Sequence, residues 1–161
     1  MSKVIGIVGL KDVGKTHLAT KIINLLVSKG YKVGSIKHAH HDFDIDKPGT
    51  DSFKHRKAGS SEVIISSSKR WAKIIENNNK KEKKLEELMQ EFHDIDIVLV
   101  EGFKNEDHPK IEIIGKNLTN INKKINNVIA IISDELFDSS IPVFKKNAID
   151  SLVEFIIKKF L

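Results

Sequence analysis

Cysteine is missing from this 161-residue chain, arginine stands only at positions 56 and 70, and apolar residues nowhere run long enough to cross a bilayer. Without cysteine there is no disulfide framework, thiol nucleophile or cysteine zinc site, which fits a reducing cytoplasm. The missing apolar span, with an N-terminus that has no basic region leading into a long apolar stretch, predicts a soluble protein that uses no membrane. So few arginines cannot build the arginine-rich lid expected of a small-molecule kinase. Aromatic residues make up only 6%, which leaves no stacking platform for nucleic acid.

What is present is enough for one core. At 40% hydrophobic, the chain predicts a single domain over residues 1–161. The formal charge of +5 invites a nucleic-acid reading. Much of the excess, however, falls between Lys69 and Lys84, where Lys80, Lys81, Lys83 and Lys84 share a predicted helix with Glu82, Glu86, Glu87 and Glu91. Mixed signs at helical spacing make a solvated face, not a phosphate-binding stripe, so no nucleic-acid partner is expected.

Residues Gly9 to Thr16 read Gly-Leu-Lys-Asp-Val-Gly-Lys-Thr, a full G-x-x-x-x-G-K-T phosphate-binding loop, directly after the apolar run Val4 to Val8 and before an amphipathic segment. Backbone N–H groups must wrap phosphate oxygens in such a loop, and glycine at positions 9 and 14 lets the chain turn tightly. Lys15 can reach the β and γ phosphates. The Thr16 hydroxyl can join the shell of Mg²⁺, and the helix starting there turns its positive dipole end to the anion.

The rest of the chain alternates strands and helices. After a strand over 3–8, a helix over 15–29 places Leu18, Ile22, Leu25 and Leu26 on one face, with Gly30 as its C-terminal cap. Strands are predicted over 31–37, 62–67, 70–75 (the last two as a hairpin), 95–100, 111–114, 128–132 and 143–144. A short helix is predicted over 51–58, another after the turn at Asn77 to Asn79, carrying Leu85, Leu88, Met89 and Phe92, and a last one over 148–160. The expected class is α/β, P-loop NTPase-like, with a largely parallel sheet flanked by helices.

Two further sites stand at the sheet edge where α/β proteins bind ligands. Glu101 follows the apolar strand Ile95 to Val100 and can hold Mg²⁺ directly or through water, as an acidic Walker B residue does. Asp96 is the rival carboxylate, but it lies at the strand's beginning, at the opposite edge. Lys37-His38-Ala39-His40-His41-Asp42-Phe43-Asp44-Ile45-Asp46 offers histidines and carboxylates in one loop. Residue types alone leave open a transition-metal site, contacts to a γ phosphate, or an ordinary polar loop.

These stretches together resemble a known family. The phosphate loop, Ile36 to His41, Asp46-Lys47-Pro48-Gly49-Thr50-Asp51-Ser52, Ala58-Gly59, Asp96 to Lys104 and Pro109-Lys110-Ile111-Glu112 are similar, in order and spacing, to the molybdopterin-guanine dinucleotide biosynthesis protein B family, MobB. The similarity runs to about residue 115 and more loosely beyond. It implies a GTP-binding accessory protein with weak Mg²⁺-dependent GTPase activity, usually dimeric, that assists the guanylyltransferase attaching GMP to molybdopterin. Carried over by position, Gly9, Lys11, Asp12, Val13, Gly14, Lys15, Thr16 and His17 form the GTP loop, and Thr16 with Glu101 holds Mg²⁺. His38, Asp46 and Asp51 become γ-phosphate candidates, and Lys15 and Asp51 the catalytic ones.

Where members carry Asn-Asp before the final helix this chain has Asn147-Ala148, so the carboxylate expected to read guanine is not found there. Lys11 replaces a small residue in the loop. A GTPase metallochaperone using His38, His40 and His41 is the alternative function. No arginine finger or positioned glutamine is identifiable, which predicts slow turnover by the isolated chain.

Overall fold

The computed structural model describes residues 3–39, 42–77, 81–115, 125–135 and 138–161. They form two compact units, Met1–His38 with Leu85–Leu161, and Ala39–Lys84.

The larger unit is built on a six-stranded sheet: β1 (Lys3–Gly9), β2 (Val33–Lys37), β5 (Ile97–Glu101), β6 (Lys110–Ile113), β7 (Val128–Ile132) and β8 (Val143–Phe144), in the order β2-β5-β1-β6-β7-β8. Every neighbouring pair is parallel, so all the strands end at one edge. Continuous apolar runs suit such strands because both faces are covered. One face presents Ile5, Ile7, Ile97, Leu99, Ile111, Ile113, Ala130 and Ile132 to α1 (Lys15–Ser28) and α4 (Ile149–Phe160). Leu18, Ile22 and Leu26 of α1 are buried at four-residue spacing, as are Leu152 and Ile156 of α4. The expected 3.6-residue pattern is therefore the packed one. Gly30, at φ 89°, ends the first helix where the sequence placed the cap.

The other face is apolar on one side and polar on the other. Val98 and Val100 pack with Leu85, Met89, Phe92 and Phe103 around α3 (Leu85–Met89). On β6, Lys110 and Glu112 alternate with the isoleucines and are buried on this side. The Lys110 ammonium is fully enclosed and donates to the carbonyls of Glu106, His108 (2.9 Å) and Asn126 (3.0 Å). Burial lowers its pKa. His108 lies over β1 at Gly6, where a Cβ would stand 2.4 Å from the ring Nε2. Only glycine leaves room there.

The smaller unit holds α2 (Asp51–Lys57) and the hairpin of β3 (Glu62–Ser66) and β4 (Trp71–Ile75), antiparallel as expected. Element ends differ from the sequence reading by one or two residues, except before α3. There the mixed-charge residues 81–84 are not helical, and the helix runs only over Leu85–Met89. No apolar side chain in 81–84 can face the core, and a helix without a buried face is marginal in water. Phe92 still packs into the cluster from beyond the helix end.

His108 is 6% exposed, and among the described residues neither ring nitrogen has a hydrogen-bond partner. Burial first, and the Lys110 ammonium second, pull its pKa from 6.5 to about 4. The folded chain thus binds this proton less readily than the unfolded one, so stability is present above pH 6.5 and is lost as pH falls toward 4. Urea unfolding of wild type between pH 7 and 4.5 should show a loss that His108→Phe lacks, on the order of 2 kcal/mol. Equal losses in the two proteins would refute this account.

Candidate functional site

The site grows from the end of β1. Gly9, at φ 149°, carries the chain past β6 so closely that a Cβ would meet the Ile113 carbonyl oxygen at 2.6 Å and the Val13 Cγ2 at 3.1 Å. Asp12 and Gly14 turn through positive φ, at 63° and 98°, and α1 begins at Lys15. The loop backbone is therefore wound before the helix starts. The Lys15 ammonium folds back over it, donating to the carbonyls of Gly9 (3.1 Å) and Leu10 (2.5 Å). Both acceptors sit in the segment expected to cradle phosphate.

Glu101 is the last residue of β5 rather than the residue after it, and it pairs in register with Ile7 of β1 and with Lys37 of β2. Its carboxylate is 16% exposed and accepts the Thr16 hydroxyl, with both oxygens 2.9 Å away. A hydroxyl and a carboxylate are hard oxygen donors, the set that Mg²⁺ takes. The two positions chosen from sequence for a metal thus come together. Asp96 stands at the opposite edge, where its Oδ2 accepts the backbone N–H of Lys32 at 2.8 Å.

Lys37 was not singled out from sequence. Its Nζ lies 3.6 Å from Glu101 Oε1 and 3.5 Å from the Thr16 hydroxyl. The signal was available, since a lysine closing the second parallel strand must face the same ligand edge. His38 follows, its ring stacked on Phe103 with centroids 4.4 Å apart and planes 21° off parallel. His17 lines a small cleft with Val13, Gly14, Ile113, Ile132 and Lys146, between the start of α1 and the ends of β6 and β7. Lys11 is exposed.

Asp46 and Asp51 belong to the smaller unit. Asp46, with its side chain 3% exposed, is gripped by Arg56 through Nη2 at 2.7 Å and Nε at 3.4 Å. Arg56 also reaches Asp44 at 2.6 Å and Glu76 at 3.0 Å, and lies over the Phe53 ring. The guanidinium holds the Asp46 carboxyl below the usual carboxylate range, and the carboxylates in turn raise the pKa of Arg56. A residue read as a γ-phosphate candidate is therefore engaged by the unit's own arginine. The spacing of Asp44, Asp46 and Arg56 alone gave no sign of this, because the loop has to fold back on α2 first. Asp51 opens α2, exposed, with Oδ1 3.3 Å from the Lys54 ammonium. His40 and His41 lie outside the described residues, and among those described no three histidines or carboxylates converge on a metal position.

The family model for molybdopterin guanine dinucleotide synthesis protein B matches residues 4–134, from β1 through β7 and two residues beyond. The chain belongs to the MobB family. The molybdopterin-guanine dinucleotide biosynthesis adapter protein of Escherichia coli is 35% identical over 150 residues, covering 90% of this chain and 86% of that one. The protein of the same name from Haemophilus influenzae is 36% identical over 155 residues, covering 94% and 86%. Among solved structures, Bacillus subtilis MobB superposes with a TM-score of 0.82 at 21% identity, over 99% of this chain and 98% of that one. A second structure, of molybdopterin-guanine biosynthesis protein B, gives 0.81 at 24% identity, covering 98% of each. At such identities the structural likeness speaks for the MobB fold, the P-loop NTPase-like α/β arrangement expected from sequence.

The grip of Arg56 on three carboxylates predicts that Arg56→Ala frees the 42–46 segment. Limited proteolysis should cut there several-fold faster than in wild type, and Arg56→Lys should restore little, since a lysine cannot form the paired contact with Asp46. Unchanged cleavage in Arg56→Ala would show that the segment is held otherwise.

Proposed function

We propose that the chain is a GTP-binding adapter in molybdopterin-guanine dinucleotide formation. It holds Mg²⁺ and GTP on the Gly9–Thr16 loop, hydrolyses GTP slowly, and works as a cytoplasmic homodimer with the guanylyltransferase that attaches GMP to molybdopterin. The adapter part is supported by family membership and by the names of the relatives from E. coli and H. influenzae. The nucleotide part rests on one observation: Thr16, closing a G-x-x-x-x-G-K-T loop, meets the strand-end carboxylate of Glu101 at 2.9 Å.

The loop's amides and the N-terminus of α1 supply fixed positive potential for the β and γ phosphates. Lys15 adds a mobile charge on a chain long enough to exchange its two carbonyl acceptors for phosphate oxygens. Mg²⁺, bound by Thr16 and Glu101, would neutralise part of the phosphate charge. What this constellation does not supply is a group that aligns water, or a guanidinium to meet the charge developing in transfer. Arg56 is committed to Asp44, Asp46 and Glu76. Such a site favours retention of GTP over turnover.

Titration of the purified chain with fluorescent GTP in the presence of Mg²⁺ should give saturable binding that Lys15→Ala weakens by about 100-fold, or about 2.7 kcal/mol, with an unchanged circular dichroism spectrum. Undiminished binding in that variant would end the phosphate-loop assignment. The same assay with ATP tests the guanine preference, and steady-state hydrolysis should run well below about one per second. Fast turnover by the chain alone would contradict the holding role.

A further inference from the structure

The Thr16–Glu101 pair already has a cation beside it, and that cation belongs to the chain. Lys37 ends β2 where Glu101 ends β5, and the two residues are register partners of parallel strands, so their side chains leave the sheet on the same side. The ammonium stands 3.6 Å from Glu101 Oε1 and 3.5 Å from Thr16 Oγ1, at the same two groups a divalent ion would use. The Lys37 side chain is 64% exposed while the Glu101 carboxylate is 16% exposed. The carboxylate is thus fixed in place and the ammonium has room to swing out. Mg²⁺ bonds oxygen at about 2.0–2.1 Å and gives up its water reluctantly. An ion on Thr16 or Glu101 would therefore come within a few ångströms of the ammonium, and in a partly buried setting that repulsion is only weakly screened.

We propose that Lys37 is the resident counter-cation of the Thr16–Glu101 subsite, filling it while no nucleotide is bound, so that a divalent cation binds tightly only together with a nucleoside triphosphate. The triphosphate brings the negative oxygens that the ammonium needs as a new partner. Lys37 then leaves the carboxylate, and the carboxylate becomes available to the metal. This rests on the nucleotide reading of the Gly9–Thr16 loop. It goes beyond that reading by assigning the order in which charge enters the site and the residue that sets it.

The test is Mn²⁺ binding by the whole chain, read from the free-ion electron paramagnetic resonance signal, first without nucleotide. Wild type and Lys37→Arg should bind Mn²⁺ weakly. Lys37→Met, which keeps the length and removes the charge, should bind it at least about tenfold more tightly, a gain of about 1.4 kcal/mol. Adding Glu101→Gln to Lys37→Met should abolish the gain, which locates it at this carboxylate. Equal Mn²⁺ affinity in wild type and Lys37→Met would overturn the proposal, as would a gain that survives Glu101→Gln.

With saturating GTP present, the difference between wild type and Lys37→Met should shrink to within a few-fold. A tenfold gap that persists would show that the lysine does not move away. If wild type binds no nucleotide at all, the phosphate-loop reading fails. The nucleotide-free arm still decides whether Lys37 keeps metal out.

Discussion

The parallel pairing of β1 with both β5 and β6 is the constraint on which the site depends. It sets Ile7 opposite Glu101 on one side and Gly9 opposite Ile113 on the other. Because side chains alternate along a strand, a slip of one residue between β1 and β5 would turn Glu101 to the other face and away from Thr16. The same slip would turn Ile97 and Leu99 toward Leu85 and Phe92 and put the smaller Val98 and Val100 against α1 and α4, so close packing of both faces favours the register that the polar pair needs. Core and site are thus specified by one pattern.

The opposite face buries polar groups beside its apolar cluster. Lys110 is buried with three carbonyl acceptors, which tie the segment around 106–108 to residue 126 and to the edge of β6. His108 finds no such compensation among the described residues and stays neutral between Gly6 and Lys110. Its position fixes the segment entering β6, whose far end meets the loop at Gly9 through Ile113. The polar load is therefore carried by the strand that buttresses the phosphate-type loop, at the end remote from it.

Much of this was legible in the sequence because it was written in periodicity and in one motif. The apolar runs at 4–8 and 97–100, the four-residue spacing of Leu18, Ile22 and Leu26, and the loop glycines each depend on local chemistry alone. The meeting of Thr16 and Glu101 followed from placing the loop after β1 and the carboxylate of β5 at the same edge of parallel strands. What escaped were facts of side-chain reach. Arg56 looked like one of few arginines and proved to be a hub for three carboxylates. Lys37 was a residue in a polar stretch until the register of β2 and β5 put it beside Glu101. The residues 81–84 had the composition of a solvated helix, but composition cannot supply the buried stripe that would hold one there.

On the proposed nucleotide reading, the placement of charge suits a site that holds a triphosphate more readily than it cleaves it. Around the loop the mobile cations are lysines, Lys15 resting on backbone carbonyls and Lys37 near the carboxylate. A lysine ammonium acts as a point charge that moves to whichever anion is nearest, whereas a guanidinium holds two oxygens in a fixed plane. Mobile point charges are well matched to the ground-state charge of a triphosphate and poorly matched to the geometry of its transfer, which rewards only interactions stronger in the transition state. Arg56 is fixed among acidic partners, so on that reading it would not serve as the aligned donor that fast chemistry needs. On the same reading, such a site would keep its nucleotide until an aligned donor is supplied.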